Sequence, residues 1–383
     1  MSEFAFEYID GPSGLERLTQ ELVGSSCVAL DTEANSLHNY YERVCLLQLS
    51  IGEEHFILDP LADLDLQPFL DLLKTKDLIL HGADYDLRML RSTFDFSPDG
   101  HIFDTMLAAQ LLGIERFGYA ALVEHFFDVK LSKAGQKSNW AKRPLAEGQL
   151  RYAADDTRYL GALADLLREE LKAHGRLGWH GESCRKMLSA TKQNNARDTD
   201  GAWRIRGLGG LDRRDLAYLR EFWTWRESEA QDADKPPFKV LGNEQLIRLA
   251  EWASSHAEAP LSEGPRLPRH CEGDRLAALD AALRRGRQLP KSEWPEKRPR
   301  RDGQGLRGND SRKQVDALRT ACAAVAEGLE IPSSVLAPKA MLVSVIRAKA
   351  TTAEEMKACS GMMDWQAGLL EDRIRRVFTS VAE

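Results

Sequence analysis

The stretch Cys27-Val28-Ala29-Leu30-Asp31-Thr32-Glu33 decides the fold prediction, because a short apolar run ends in two acids. The apolar run favours a buried β-strand. Side chains alternate along a strand, so Asp31 and Glu33 point to one face of the sheet and Thr32 points to the other. Two neighbouring carboxylates repel each other unless a cation lies between them, and their hard oxygen atoms suit Mg²⁺ or Mn²⁺. By itself, such a pair is more often a solvated turn.

Apolar periodicity on both sides of this strand predicts a mixed α/β sheet with helices on its faces. Further strands are predicted over 44–51, 55–58 and 78–81, and Gly52-Glu53 suits a hairpin turn. Helices are predicted over 66–73, 84–90, 105–112, 119–126 and 145–172, the last of them long, with Pro144 at its first turn.

A second acid comes from the helix that follows the fourth strand. The apolar face of this helix is marked by Ala83, Leu87, Leu90 and Phe94. Asp86 lies on that inward face, where an acid needs a partner such as a metal ion. Asp84 lies off it, beside Arg88, where an exposed ion pair is sufficient. We therefore choose Asp86 as the second site residue.

The third element is Tyr152-Ala153-Ala154-Asp155-Asp156. Tyr152 and Asp156 are four residues apart on the predicted long helix, so they share a face, and Asp155 is turned away from it. A tyrosine hydroxyl beside a metal-binding aspartate can hold and orient a water molecule. Taken alone, the same pattern also fits an ordinary helix with one buried aromatic side chain.

Taken together, the three elements supply four carboxylates from one strand end and two separate helices: Asp31, Glu33, Asp86 and Asp156. This is the ligand set of a two-metal phosphodiester hydrolase, in which one cation activates water and the other neutralises the leaving oxygen. Such chemistry needs no side-chain nucleophile, and the sequence has no G-x-S-x-G or reactive-cysteine motif.

These motifs resemble the ribonuclease D family, within the DEDD superfamily of 3′-5′ exonucleases. The similar segments are 31–33, the region of Asp86 followed by 102–107, then 138–145 and 152–156. The tyrosine subclass is indicated, because the histidine subclass would have a histidine five residues before the last aspartate, where this chain has Arg151.

The resemblance implies a ribonuclease-H-like fold, two divalent cations (Mg²⁺ or Mn²⁺) and hydrolysis of RNA from a free 3′ end to nucleoside 5′-monophosphates. It implies that Asp31 bridges both cations, that Glu33 and Asp156 complete the first metal site, and that Asp86 completes the second. Tyr152 would position the attacking water. The expected substrates are transfer RNA precursors with a free 3′ end, with no obligate protein partner and no membrane.

Four further residues near these motifs have expected roles. Asp104 is expected to cap the helix that follows it. His81, Trp140 and Arg143 are expected to contact the terminal nucleotide by stacking or through its phosphate. His81 also suits a hydrogen-bonded histidine at a strand end.

The chain beyond the exonuclease region has no strand pattern. We expect an exonuclease domain over 1–190, a segment over 208–287 that resembles an HRDC domain, a flexible basic linker over 288–312 and a second HRDC-like helical domain over 313–383. The HRDC resemblance implies auxiliary nucleic-acid binding through surface Arg and Lys. Phe222 and Trp223 are expected in the helical core.

Composition excludes several classes of protein. The chain has 383 residues, of which 43% are hydrophobic and 29% charged, and a net charge of −7. These values fit a globular protein of several domains and exclude a disordered or collagen-like one. The apolar runs are too short for a membrane helix and residues 1–13 lack a signal pattern, so a cytoplasmic location is expected. The six scattered cysteines argue against a disulfide scaffold or a zinc site.

Two alternative functions stay open. A DNA 3′-5′ exonuclease would use the same four acids, because discrimination between the sugars depends on contacts to the 2′-hydroxyl that the motifs do not reveal. A catalytically idle RNA-binding scaffold would need a broken motif, and all three motifs are intact.

Overall fold

The computed structural model describes residues 5–192, 201–297 and 309–380. These residues cluster into two compact units. The first unit contains 5–34, 43–192 and 309–380, and the second contains 35–42 and 201–297. Within the described ranges, every helix is too short or too polar to cross a membrane.

The first unit is built on a mixed sheet. Its strands are β1 (Glu7–Ile9), β2 (Cys27–Ala34), β3 (Val44–Ile51), β4 (Glu54–Leu58), β5 (Asp77–Leu80) and β6 (Ile102–Asp104), in the order β1-β4-β3-β2-β5-β6. β2 pairs antiparallel with β3 and parallel with β5, so it lies inside the sheet. The predicted strands and the hairpin at Gly52 are confirmed, and Gly52 adopts the positive φ that such a turn uses.

Helices cover both faces of this sheet, because alternate residues of β2 are buried on opposite sides. The helices are α1 (Pro12–Gly24), α2 (Gln67–Leu73), α3 (Asp84–Phe94), α4 (Thr105–Leu111), α5 (Tyr119–Phe127), α6 (Glu147–Arg158), α7 (Leu160–Ala173) and α8 (Leu177–Lys192). Val28 and Leu30 pack with α1, α2, α3 and α8, whereas Ala29 packs with α4, α5 and α7. The predicted α/β class is confirmed.

The prediction of one long helix over 145–172 is wrong. The chain forms α6 and α7, which are separated at Tyr159. The hydroxyl of Tyr119 lies at this break, where it accepts from the N–H of Tyr159 and donates to the carbonyl of Asp155. The predicted place of Pro144 in the first turn of the helix is also wrong, because α6 begins only at Glu147.

The described residues after 308 are helical, as predicted, but they pack into the first unit. The helices are α13 (Asn309–Gly328), α14 (Ser333–Leu336), α15 (Lys339–Ala348), α16 (Ala353–Ser360) and α17 (Asp364–Ser380). Their apolar side chains share one core with α4 and α7. Trp365 stacks on Trp179 of α8 at 4.8 Å, and Arg176 donates to the carbonyl of Leu329. The identification of this segment as a second HRDC-like domain stays a prediction.

The second unit is a helical bundle. Its main helices are α9 (Arg213–Asp232), α10 (Pro237–Val240), α11 (Asn243–Ser255) and α12 (Gly273–Gln288). Phe222 is fully buried and Trp223 packs partly buried against the same core, as expected. Residues 35–42 belong to this unit, where the carboxylate of Asp234 accepts from the backbone N–H groups of Tyr40 and Tyr41.

Part of the stretch predicted as a flexible linker over 288–312 is held to the second unit. Arg213 donates to the carbonyl of Trp294, and the Trp294 indole N–H donates to the carbonyl of Leu289. Residues 298–308 of the predicted linker lie outside the described residues, and α13 begins at Asn309.

We expect Gly113→Ala to lower the free energy of unfolding by about 2 kcal/mol or more. Gly113 has a φ of +77°, which costs a residue with a Cβ about 1–2 kcal/mol. A Cβ there would also meet the carbonyl oxygen of Glu330 at 1.9 Å, so the contact with the C-terminal helices must shift.

The matched control for this prediction is Gly368→Ala in α17, where a Cβ would meet no heavy atom within 4 Å. This change should stabilise the protein by about 0.5–1 kcal/mol, because alanine is the better helix former. Urea unfolding of both variants checks the pair. Equal stability of Gly113→Ala and the wild-type protein would contradict the described packing of residues 309–380.

Candidate active site

The end of strand β2 presents side chains to both faces of the sheet. Ala29 packs on the side of α7, and Asp31 and Glu33 continue its alternation. Leu30 packs on the side of α3, and Thr32 continues that alternation. The β2–β3 pairing shifts register directly after Glu33, so regular pairing stops just beyond the acids. The tip of one strand can therefore meet residues from helices on either side.

Helices on the two faces bring the other predicted residues to this strand tip. Asp86 comes from α3, and Tyr152 and Asp156 come from α6. One pocket of about 510 Å³ is lined by the five predicted residues Asp31, Glu33, Asp86, Tyr152 and Asp156, and also by Thr32, His81 and Tyr119. The structure thus brings together acids that are far apart in the sequence.

Asp86 is the buried acid of α3, as the helical phase predicts. It is 6% exposed, and its Oδ1 atom accepts a 2.6 Å hydrogen bond from the Thr32 hydroxyl. Asp84 is exposed and makes two hydrogen bonds of 2.9 Å with Arg88. The difference between the two acids in burial and in partners is the one expected from the sequence.

Burial and mutual repulsion raise the pKa values of the clustered acids. Burial raises the pKa of Asp31 well above its usual range, and the charges of the three other acids raise it further. The pKa of Glu33 is raised to about 9 by burial and by the charges of Asp156 and Asp86. Burial is also the main cause that raises the pKa of Asp156 to about 7 and that of Asp86 to about 6. Ionisation of all four acids together would therefore leave negative charge in the pocket that its surroundings do not balance.

The chemistry of these donors fits hard divalent cations, since Mg²⁺ and Mn²⁺ prefer carboxylate oxygen ligands. Bound cations would also balance the excess negative charge. In the positions found here, no three His, Cys, Asp or Glu side chains of the described residues are close enough to form a metal site. The four acids therefore share a pocket and perturb one another's pKa values without forming a closed coordination sphere.

Tyr152 lies one helical turn before Asp156, and the interaction of its hydroxyl with the Asp156 carboxyl lowers the pKa of that acid. Burial, followed by the charges of the nearby acids, raises the pKa of Tyr152 above its ordinary value, so its hydroxyl stays protonated at neutral pH. A Cβ on Gly135 would lie 2.3 Å from the ring of Tyr152. The close approach of the loop around Gly135 therefore limits the movement of the Tyr152 ring.

His81 lies in the pocket wall, as expected for a residue near the terminal nucleotide. Its Nδ1 atom is 2.9 Å from the hydroxyl of Thr105, and its ring is 5.6 Å from that of Tyr119. This satisfied environment equally matches the alternative of a strand-end histidine, so a substrate contact by His81 stays a prediction.

Trp140 and Arg143 do not reach the pocket in this structure. Trp140 is only 1% exposed, so its ring has no free face on which a nucleotide base could stack. The guanidinium of Arg143 is engaged by the carboxylate of Asp59 and by the carbonyls of Trp140 and Cys45. These contacts indicate that both side chains hold the segment before α6 in place, and their expected contacts with the terminal nucleotide stay a prediction.

Asp104 caps α4, which confirms its predicted role. Its carboxylate accepts from the backbone N–H groups of Met106 and Leu107. It also accepts from Gly82 and Ala83 at 3.0 and 2.9 Å, just before α3. Asp104 therefore fixes the start of the helix that carries the second acid.

Sequence reasoning missed three parts of the pocket. Thr32 bonds to Asp86, a contact that the alternation along β2 could have suggested because it places Thr32 on the side of α3. Tyr119 at the start of α5 and several residues of the loop 131–136 also line the pocket. These two segments have no motif or polar pattern that marks them as part of a site.

Comparisons of sequence agree with this geometry. A family model described as 3′-5′ exonuclease matches residues 6–172, and an HRDC domain model matches residues 215–259. The ribonuclease D of Pseudomonas paraeruginosa is 33% identical over 301 residues, which cover 76% of this chain and 78% of that protein. The ribonuclease D of Sphingobium indicum is 30% identical over 300 residues, with 77% and 76% covered.

Comparisons of structure extend the similarity along almost the whole chain. A crystal structure of a protein from Bifidobacterium adolescentis matches with a TM-score of 0.82 and 25% identity, and covers 97% of each chain. Escherichia coli RNase D, titled an exoribonuclease involved in structured RNA processing, matches with a TM-score of 0.69 and 23% identity over 98% of this chain and 99% of that one. The second match supports the fold alone.

We expect Asp156→Asn to stabilise the protein in the presence of a chelator at pH 8, by about 1–4 kcal/mol. The pKa of Asp156 is raised in the folded state, from 3.8 to about 7. Stability is therefore lost progressively as the pH rises from 3.8 to about 7, whereas the neutral amide does not ionise. Denaturant unfolding at pH 5 and pH 8 measures the difference in free energy of unfolding between Asp156→Asn and the wild-type protein.

Asp84→Asn is the matched control, because Asp84 is exposed and its pair with Arg88 is worth at most about 1 kcal/mol. Its stability should follow that of the wild-type protein at both pH values. If Asp156→Asn shows no greater gain at pH 8 than at pH 5, the raised pKa assigned to Asp156 is wrong.

Proposed function

The chain belongs to the ribonuclease D family and is a 3′-5′ exoribonuclease, and from that premise we propose that Asp31, Glu33, Asp86 and Asp156 hold two divalent cations at its active site. The observation that carries this proposal is the single pocket that all four acids and Tyr152 line. The raised pKa values of the acids support it, because cations would offset the repulsion that raises them.

Each acid has a proposed role that follows its place in the pocket. Asp31, whose pKa responds to all three of the other acids, would be shared by both cations. Glu33 and Asp156 would complete one site, and Asp86, which Thr32 orients, would complete the other. Bound divalent cations lower the pKa of water and offset charge on the leaving oxygen.

Tyr152 would orient the attacking water and would not itself be the nucleophile. Its hydroxyl stays protonated next to the acids and lines the same pocket as Asp156. A neutral hydroxyl at this position can exchange hydrogen bonds with a water molecule without adding a further charge beside the four acids.

The proposed substrate is RNA with a free 3′ end, released as nucleoside 5′-monophosphates, with transfer RNA precursors as the class in the cell. Ribonuclease D relatives support RNA over DNA as the substrate. The match of residues 215–259 to an HRDC model supports auxiliary RNA binding by the second unit. A cytoplasmic location also belongs to this proposal.

Asp31→Ala tests the mechanism. We expect it to lower the rate of Mg²⁺-dependent 3′-end trimming by about two orders of magnitude or more, because it removes the acid shared by both cations, and to leave RNA binding nearly unchanged. Trimming of a 3′-end-labelled RNA and a filter-binding assay measure the two quantities separately.

Asp84→Ala is the control, since it removes an acid of α3 that lies outside the pocket lining. It should trim at close to the wild-type rate. Matched RNA and DNA strands, offered side by side, decide between the exoribonuclease and a DNA exonuclease. Unchanged trimming by Asp31→Ala would eliminate the metal mechanism, and lack of trimming by the wild-type protein would favour an RNA-binding scaffold.

A further inference from the structure

The break between α6 and α7 lies three residues beyond Asp156. In an uninterrupted α-helix, the N–H of Tyr159 would donate to the carbonyl of Asp155. Residues 155–160 contain neither proline nor glycine, so backbone chemistry gives no reason for the helix to stop there. A cause must therefore come from elsewhere in the fold.

The cause is a side chain inserted between the two backbone groups. The Tyr119 hydroxyl accepts from the N–H of Tyr159 at 3.1 Å and donates to the carbonyl of Asp155 at 3.1 Å. One hydroxyl thereby satisfies both groups that the helix would otherwise join. Insertion of this kind opens a helical turn while all its polar groups keep partners.

Tyr119 itself is held on several sides. It is the first residue of α5, its side chain packs against the core formed by α4 and α7, and its ring lies 5.6 Å from that of His81. Burial raises the pKa of Tyr119 well above its ordinary value, so it keeps the proton that it donates to Asp155. The hydroxyl is therefore a fixed point to which the end of α6 is attached.

The last turn of α6 carries Asp156, which is one of the proposed metal ligands. Asp156 directly follows Asp155, whose carbonyl Tyr119 holds, and the next residue, Thr157, accepts from the Ser50 hydroxyl of β3 at 2.8 Å. Tyr119 and Asp156 line the same pocket. Hydrogen bonds therefore hold the backbone of Asp155 and the side chain of Thr157, the two residues on either side of Asp156.

We propose that Tyr119 is a positioning residue that sets the Asp156 carboxylate for cation binding by opening the helix at Tyr159. The role rests on the proposed function of Asp156 as a metal ligand. Without the hydroxyl, the N–H of Tyr159 and the carbonyl of Asp155 are free to bond directly, which closes the break and turns Asp156 relative to Asp31 and Glu33.

Tyr119→Phe tests this proposal, because it keeps the ring and removes only the inserted oxygen. Calorimetric titration of the RNA-free protein with Mn²⁺ should show an affinity at least about tenfold weaker than in the wild-type protein, within the range seen when a group that orients a metal ligand is lost. The half-saturating Mg²⁺ concentration for trimming should rise by a similar factor, while KM for RNA at saturating Mg²⁺ changes less than about twofold.

The matched control is Tyr8→Phe, which removes a tyrosine hydroxyl bonded to Asp59 in the same unit and outside the pocket lining. It should lower the melting temperature without changing Mn²⁺ affinity. If Tyr119→Phe binds Mn²⁺ as tightly as the wild-type protein and only its melting temperature falls, Tyr119 is structural and the proposal is overturned. If the wild-type protein binds no divalent cation, both this proposal and the proposed metal mechanism fail.

Discussion

The desolvation and mutual repulsion of the four acids that meet at the tip of β2 are the constraint that the rest of the structure must satisfy. Charges in a pocket of low polarity interact far more strongly than charges in water. The raised pKa of Glu33, at about 9, shows how strongly this environment disfavours a further negative charge. Ionisable groups whose pKa values are shifted this far cluster at functional sites, which agrees with the proposed binding of cations by the four acids.

The fold meets this constraint by distributing the four acids over rigid elements. Two come from one strand, which is paired on both sides, and the other two come from helices that pack on opposite faces of the sheet. None of the acids lies on a loop that could move away to relieve the repulsion. Polar neighbours then fix the details: Thr32 holds Asp86, and Asp104 holds the segment in front of α3. The tertiary structure as a whole therefore keeps the four acids together against their repulsion.

Local patterns in the sequence predicted the features that local geometry controls. The alternation along β2 predicted that Asp31 and Thr32 point to opposite faces of the sheet. The helical phase of α3 predicted that Asp86 is the inward acid and that Asp84 is the exposed one. The meeting of the four acids in one pocket was expected from the resemblance to the ribonuclease D family, but other features that depend on contacts between distant segments were not predicted. The break at Tyr159 is caused by a residue 40 positions earlier. The burial of Trp140 depends on strands and helices that only the tertiary structure brings together.

The helices after residue 308 show why motifs do not define the limits of a folding unit. The motifs of the pocket end at Asp156, and the helix α7 that follows has the buried residues Leu163, Leu167 and Leu171. Part of the core around them comes from α13 to α17, which share that core with α4. Because Tyr119 packs against the same core, the C-terminal helices support the position of the hydroxyl that opens α6. The catalytic unit therefore depends on residues more than 150 positions beyond its last acid.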